Sequence, residues 1–219
     1  GTLIVTDSTI SANRGINYGG GITNSGMATI VNSIISGNRA TNSCGGAIDN
    51  EYGTLVVTDS MISDNYAGTY GGGIYNRAVG EVTIHDSTIS GNTGTYCGGL
   101  YIGGGTYDGG ILSVSGTSQI INNKARTGYG GGIYFSGKSL TLDGSQVAVN
   151  SNQAYLPITE SGWYQGWGVY STITPATPGF DPSKQVTGNT QLLALTDRIL
   201  ASQELWLNTH PILDTSLIL

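Results

Sequence analysis

Two short sequence elements recur together along most of this 219-residue chain, and their common period constrains the fold more than any other feature. One is an aliphatic residue, two variable residues and an asparagine. The other is a glycine-rich run that ends in an aliphatic residue. The asparagines of the first element, at separations of 25, 27, 27, 31 and 27 residues, are Asn13, Asn38, Asn65, Asn92, Asn123 and Asn150. Units of this length cannot bury a core alone, so the period predicts stacked coils.

A short alternating strand lies between the two elements. In its first copy, the period of two puts Leu3 and Val5 on one face and Ile4 on the other. Coils stacked at about 4.8 Å would align the inner residues in continuous columns. The predicted columns are Leu3/Ala28/Leu55/Val82/Leu140, Val5/Ile30/Val57/Ile84/Leu142, Ile10/Ile35/Ile62/Ile89/Ile120/Val147 and Ile22/Ile48/Ile74/Leu100/Ile133. The repeats lack the 3.6-residue pattern of a helix. The sequence therefore predicts an all-β, single-domain right-handed parallel β-helix of about seven coils, with three short strands in each.

The recurring asparagines are predicted to form a structural ladder from Asn13 to Asn150. Stacked side-chain amides can hydrogen-bond from coil to coil, and Asn tolerates the left-handed conformation of a tight turn. A second ladder is predicted at Asn24, Asn50 and Asn76. The glycine runs are predicted to form turns that need positive φ or a close backbone approach.

These two elements together resemble the repeats of the chlamydial-type polymorphic outer-membrane proteins. They are also similar to the repeats of other prokaryotic surface β-helix proteins. The resemblance covers roughly residues 1–155, although this chain has Ile where that family often has Phe before the Asn, at Ile10, Ile35, Ile62 and Ile89. It implies a secreted or surface-exposed passenger that serves in adhesion or in cell-envelope architecture.

The composition changes after Leu156, because all five prolines and all three tryptophans lie beyond it. We therefore divide the chain into β-helix repeats at 1–155 and a C-terminal segment at 156–219. This segment is predicted to contain a degenerate last coil, one short cap helix and an apolar tail. The residues that give the helical spacing are Leu192, Leu195, Ile199 and Trp206. A cap over the last coil is the expected role, and docking to a partner is the alternative.

The net charge of −6 argues against a nucleic-acid partner, and the lack of an apolar run of about 18 residues argues against membrane insertion. Because the chain starts inside a strand pattern, we expect any export signal to lie upstream of Gly1. The expected location is extracellular or at the cell surface. Cys44 and Cys97 would lie two coils apart, too far for a bridge within the chain. We expect them to be unpaired, with an intermolecular bridge as the alternative.

Two outward faces are candidate binding surfaces. One is predicted to carry a tyrosine strip that suits sugar rings or another protein, with simple shielding of the sheet as the alternative. Its members are Tyr75, Tyr101, Tyr134 and Tyr170. The other is rich in β-branched residues and is a candidate for burial between copies of the chain. Its assembly residues are Ile4, Val31 and Val56.

Catalysis has weaker candidates. Asp59 and Asp86 would lie about one coil apart, close to the carboxylate separation of about 5 Å in a retaining glycosidase. The alternative is that each Asp stabilises its own turn. His85 and His210 do not have a metal-ligand spacing. We expect no metal and no cofactor.

The function expected from the sequence is that of an extracellular structural or adhesive surface protein. It would self-associate end to end, as a component of a filament, sheath or surface layer. The expected partners are copies of the chain itself, with cell-surface polysaccharide as a further candidate. The alternatives are a glycan-binding adhesin that uses the tyrosine strip, and a β-helix polysaccharide lyase or glycoside hydrolase.

Overall fold

The computed structural model describes residues 1–77, 79–103, 110–127, 130–143, 147–154 and 169–171. These residues form 23 short strands. The first three coils contain β1 (Thr2–Thr6), β2 (Thr9–Ser11), β3 (Arg14–Gly15), β4 (Ile22–Asn24), β5 (Met27–Val31), β6 (Ile34–Ser36), β7 (Arg39–Ala40), β8 (Ile48–Asn50), β9 (Thr54–Thr58), β10 (Met61–Ser63), β11 (Tyr66–Ala67) and β12 (Ile74–Asn76). The remaining strands are β13 (Glu81–His85), β14 (Thr88–Ser90), β15 (Thr93–Gly94), β16 (Leu100–Ile102), β17 (Ile111–Ser115), β18 (Gln119–Ile121), β19 (Lys124–Ala125), β20 (Ile133–Phe135), β21 (Ser139–Asp143), β22 (Ala148–Asn150) and β23 (Val169–Ser171).

Equivalent strands of successive coils pair in parallel and form four sheets. Sheet A is β1-β5-β9-β13-β17-β21, sheet B is β2-β6-β10-β14-β18-β22, sheet C is β3-β7-β11-β15-β19, and sheet D is β4-β8-β12-β16-β20-β23. The predicted right-handed parallel β-helix is thus confirmed. Each complete coil has four strands rather than the predicted three, because a two-residue strand follows each ladder asparagine.

The described coils amount to about five turns, since the six strands of sheet A are separated by five coil-to-coil steps. Of the predicted degenerate last coil, β23 is described. It pairs with β20 in the expected register, with Val169 opposite Ile133 and Tyr170 opposite Tyr134. The predicted cap helix and tail, and with them the count of seven coils, lie outside the described residues.

The core consists of the inner aliphatic columns. Ile30, Leu55, Ile62 and Ile74 are fully buried, as are most other members of the predicted columns. Burial of each such side chain stabilises the fold by about 1.5–3 kcal/mol. The fifth coil contributes Leu112 and Val114, which were not among the predicted column members.

One column prediction was wrong at its end. The residue of β22 that pairs with Ile120 is Val149, not Val147. Val147 is buried as well, because a shift of two residues along a strand keeps a side chain on the same face. β22 therefore lies two residues out of the predicted alignment, whereas β21 of the same coil is aligned as predicted.

The main asparagine ladder is confirmed from Asn13 to Asn123. Asn38 is typical, since its backbone N–H and its Nδ2 both donate to Oδ1 of Asn65, at 2.8 and 3.1 Å. Its Nδ2 also donates to the carbonyl of Ile10 in the preceding coil, at 2.9 Å. One amide thus connects three coils.

The prediction of Asn150 as the last rung was wrong. Asn123 donates from its backbone N–H and from Nδ2 to Oδ1 of Asn152, at 2.9 and 3.0 Å. Asn150 is instead the last residue of β22 and pairs with Ile121. The cause is the same two-residue difference that replaces Val147 with Val149.

The expected left-handed conformation belongs to the residue before each ladder asparagine, not to the asparagine itself. The residues with positive φ at this turn are Ala12, Gly37, Asp64, Gly91, Asn122 and Ser151. The asparagine that comes next is thereby free to point inward, and it is buried in every coil except the first, where Asn13 is exposed. The second predicted ladder is confirmed, because Nδ2 of Asn24 donates to Asn50 and Nδ2 of Asn50 donates to Asn76, at 2.7 and 2.6 Å.

Candidate functional site

The predicted tyrosine strip forms a stacked cluster on sheet D. The rings of Tyr75 and Tyr101 are 5.2 Å apart with an interplanar angle of 27°, and those of Tyr101 and Tyr134 are parallel at 4.5 Å. Tyr70, from the turn before β12, packs on Tyr101 at 4.7 Å and on Tyr96 at 4.9 Å. We call these five residues the tyrosine cluster. The backbone of Tyr170 continues the same column.

Stacking determines what the tyrosine cluster can offer to a ligand. Tyr75, Tyr101 and Tyr134 direct ring faces at each other, so their edges and hydroxyls face away from the stack. A sugar ring packs best on an open aromatic face. Partial burial raises the pKa of the Tyr75 hydroxyl to about 12 and that of Tyr101 further. Both hydroxyls are therefore neutral hydrogen-bonding groups at physiological pH.

A buried carboxyl lies at the end of the tyrosine cluster. Asp49 pairs with Tyr75 in register, is 4% exposed, and has no hydrogen-bond partner at Oδ1 among the described residues. Its pKa is raised to about 6, mainly by burial and also by the charge of Glu51, while Arg77 opposes the rise. The sequence pattern predicts an outward position for Asp49 and does not predict its burial.

The predicted assembly residues share the outward face of sheet A. Ile4 is 70% exposed, whereas Val31 and Val56 are partly buried. All nine outward residues of β1, β5 and β9 are uncharged: Thr2, Ile4, Thr6, Met27, Thr29, Val31, Thr54, Val56 and Thr58. We call these nine residues the uncharged face.

Asp59 and Asp86 lie at the corner between sheets A and B. They line a shallow groove of about 400 Å³ together with Asn32, Ile34 and Met61. Asp59 is exposed, and Asp86 accepts hydrogen bonds from the next coil and also contacts its neighbour His85.

The chemistry of Asp86 does not suit a glycosidase acid. Its Oδ1 accepts hydrogen bonds from the Thr117 N–H at 2.8 Å and from the Thr117 hydroxyl at 3.0 Å. These bonds lower the pKa of Asp86, and His85 lowers it further. A general acid of a glycosidase needs a raised pKa.

Two features of this corner were missed. One is a serine ladder, in which Ser60 donates its N–H to Ser87 Oγ at 3.1 Å and its own hydroxyl to the Thr58 carbonyl at 2.7 Å. The other is the contact of His85 with Ser115, at 3.0 Å between Nδ1 and Oγ. The recurring Asp-Ser pairs were the available signal for the ladder. The contact between His85 and Ser115 depends on a coil that is longer than usual, and no sequence signal indicates it.

Both cysteines are free thiols. Cys44 Sγ lies 3.1 Å from the hydroxyl of Thr69, and its pKa is raised by burial. Cys97 is fully buried, which raises its pKa to about 12, and its thiol donates to the carbonyl of Leu100. Neither environment is that of an activated thiolate.

The described part of the chain has no group of three or more His, Cys, Asp or Glu side chains placed to hold a metal ion. A helix long and apolar enough to cross a membrane is also absent from these residues.

Comparison with known proteins yields no match. Searches of protein-family models, of curated proteins and of solved structures each find nothing similar to this chain. Its function is therefore inferred from the fold and from the geometry of its surfaces.

Proposed function

We propose that this chain is a structural or adhesive protein of the cell surface whose β-helix self-associates. The observation that carries the proposal is the uncharged face. A chain with a net charge of −6 presents there three adjacent strands without a charged outward side chain, and Ile4 and Met27 are 70% and 52% exposed. Exposed apolar patches of this kind mark interaction surfaces.

A second copy of the chain is the proposed occupant of this face. Two negatively charged proteins approach each other with least repulsion where neither carries charge. The outward side chains of this face repeat at the spacing of the sheet. The same face of another copy repeats at the same spacing, so the two faces can pack in register. Ile34 and Met61, 40% and 37% exposed, are further exposed apolar residues on the neighbouring sheet B.

End-to-end association, which we expect from the sequence, completes the proposal. All described coils share one parallel register, so a coil of another copy can continue the same ladders. A surface location is supported by the resemblance of the repeats to those of polymorphic outer-membrane proteins. Glycan binding by the tyrosine cluster remains a weaker candidate, because the stack occupies the ring faces.

Sedimentation velocity over a concentration series tests this function. The wild-type chain should shift to larger species as concentration rises. Val56→Lys, which places a charge at the centre of the uncharged face, should require at least a tenfold higher concentration for the same shift.

Thr141→Lys is the matched control, since Thr141 is an exposed outward residue of the same sheet in the sixth coil. It should associate as the wild type does. A monomeric wild type at every concentration contradicts the proposal, as does equal association of the two variants. Negative-stain electron microscopy then separates filaments along the β-helix axis from lateral pairs.

A further inference from the structure

Three side chains form a hydrogen-bonded chain at the carboxyl ends of β13 and β17, two interior strands of sheet A. Ser115 Oγ lies 3.0 Å from His85 Nδ1, and His85 Nε2 lies 2.8 Å from Asp86 Oδ2. The strands β13 and β17 bring them together, because His85 and Ser115 are register partners and Asp86 follows β13 directly. Serine, histidine and aspartate in this order are the groups of an activated nucleophile, its base and the residue that orients the base.

The local backbone is built to hold Asp86 and His85 in place. Asp86 adopts a φ of 46°, and its other oxygen is held by the N–H and hydroxyl of Thr117. Gly116 lies against both side chains. A Cβ there would be 2.9 Å from Cγ of Asp86 and 3.0 Å from Cε1 of His85, so a larger residue would displace them.

The charge of Asp86 determines which nitrogen of His85 carries the proton. The hydrogen bonds from Thr117 lower the pKa of Asp86, so its carboxylate is ionised at neutral pH. An ionised carboxylate accepts a hydrogen bond from Nε2–H of neutral His85. Nδ1 then has a lone pair, which accepts the hydroxyl proton of Ser115.

Among the described residues, the N–H of Gly116 is the candidate donor for negative charge beside Ser115. At the equivalent turn in other coils, the N–H groups of Asp7, Asn32 and Asp59 each donate to the carbonyl of the next coil at 3.2 Å. Within the described residues, no such hydrogen bond is made by Gly116. An N–H that directly follows a nucleophilic serine is a common oxyanion donor.

We propose that Ser115 is a nucleophile that hydrolyses small carboxylic esters, with His85 as its general base and acid and Asp86 as a positioning residue. Ser115 Oγ attacks the carbonyl carbon while its proton moves to His85 Nδ1. The bond to the leaving alkoxide breaks, and the alkoxide takes this proton and departs as the alcohol. Water then attacks the acyl-serine with His85 as base, which releases the carboxylic acid and restores Ser115.

The surroundings give a substrate little to bind beyond the reacting groups, which is why small esters are the proposed substrates. The His85 side chain is 47% exposed and the corner is open, so substrate is not enclosed. Asp143 pairs with Ser115 from the sixth coil, and its carboxylate opposes the negative charge that forms on the carbonyl oxygen. Asp143→Asn should therefore raise the rate of acylation.

A fluorophosphonate probe and p-nitrophenyl acetate test the proposal on the full chain. Mass spectrometry of the wild-type protein should place the phosphonyl group on Ser115. The labelling rate should exceed that of His85→Ala by about a hundredfold, the usual contribution of a positioned base. Asp86→Asn should lower the maximal labelling rate and leave the half-saturating probe concentration unchanged.

Ser113→Ala is the matched control, because Ser113 is an outward serine of the same strand whose register partners are Thr83 and Thr141. It should be labelled and should turn over ester as the wild type does, whereas Ser115→Ala should do neither. Circular dichroism verifies the fold of each variant. Labelling spread evenly over several serines, or an equal rate in His85→Ala, overturns the proposal, and so does slower acylation of Asp143→Asn.

Discussion

Asp49 and Tyr75 are register partners on neighbouring strands of sheet D, so a buried carboxyl lies directly against the end of the tyrosine cluster. Its Oδ1 has no hydrogen-bond partner among the described residues. Burial of such a group without a partner is costly, and the cost is greatest when the group is charged. The protonation state of Asp49 therefore links the pH of the solution to the stability of the fold at this end of the tyrosine cluster.

Asp49→Asn should stabilise the protein at neutral pH. The folded-state pKa of Asp49 is raised from 3.8 to about 6, so between these values the folded state binds more protons than the unfolded state. Stability therefore falls as pH rises through this window, and the full penalty is present above about pH 6. At 1.36 kcal/mol per pKa unit, the gain at pH 7 is at most about 3 kcal/mol.

Urea unfolding of the wild type and of Asp49→Asn at pH 4 and pH 7 measures this effect. The difference in unfolding free energy between the two proteins should be larger at pH 7. Glu81→Gln, at an exposed site, is the control and should show little pH-dependent difference. A constant difference for Asp49→Asn at both pH values contradicts the assignment.

Asn65→Ala should be strongly destabilising, because it interrupts the main ladder in its middle. The N–H and Nδ2 of Asn38 both lose their acceptor, and both are buried. Each buried donor left without a partner costs about 1–3 kcal/mol, so the total for the two is about 2–6 kcal/mol. Asn150→Ala, outside the ladder, should cost much less. Equal losses of the two variants in urea unfolding would contradict the large cost assigned to the interrupted ladder.

The error at the end of the ladder shows what the repeat could and could not predict. The aliphatic-x-x-Asn pattern is met by Val147 with Asn150 and equally by Val149 with Asn152. Both alignments put a valine inward, because a strand repeats every two residues. In the earlier coils, isoleucine columns such as Ile35, Ile62 and Ile89 left no such ambiguity, and their alignment was predicted correctly.

The candidate sites were harder to predict, because they depend on contacts between coils that the repeat does not encode. Ser115 lies 30 residues after His85 rather than 27, so the usual coil length would not place it beside the histidine. The burial of Asp49 is another example. The two-residue period of a strand predicts an outward position for Asp49. Only the packing of the folded chain shows that Asp49 is 4% exposed.

The two cysteines should differ in their reaction with a thiol reagent such as Ellman's reagent. Thiolate is the reactive form, and burial raises the pKa of both thiols, that of Cys97 to about 12. In the native protein, Cys44 should react slowly, and Cys97 should react only after unfolding in denaturant. The variant Cys44→Ser should show no native reaction. A native reaction of two thiols would mean that the turn around Cys97 opens.

Gly71→Ala and Gly37→Ala separate two reasons for glycine in the turns. Both residues have positive φ, at 60° and 65°. At Gly37 an added Cβ has open space, with the nearest atom, the Ala12 nitrogen, at 3.9 Å. Ala12 itself occupies the equivalent turn of the first coil at a φ of 56°. Gly37→Ala should therefore cost only the conformational penalty, about 1–2 kcal/mol.

At Gly71 an added Cβ would also meet the backbone of the same turn, 2.7 Å from the carbonyl carbon of Ile74 and 2.9 Å from the nitrogen of Tyr75. Backbone atoms cannot move aside as a flexible side chain can, and these belong to β12, which carries Tyr75 of the tyrosine cluster. Gly71→Ala should therefore cost clearly more than Gly37→Ala in urea unfolding. It should also disturb the near-ultraviolet circular dichroism of the stacked rings, which Gly37→Ala should leave unchanged. Equal losses, with both spectra intact, would mean that positive φ alone accounts for the glycine at this turn.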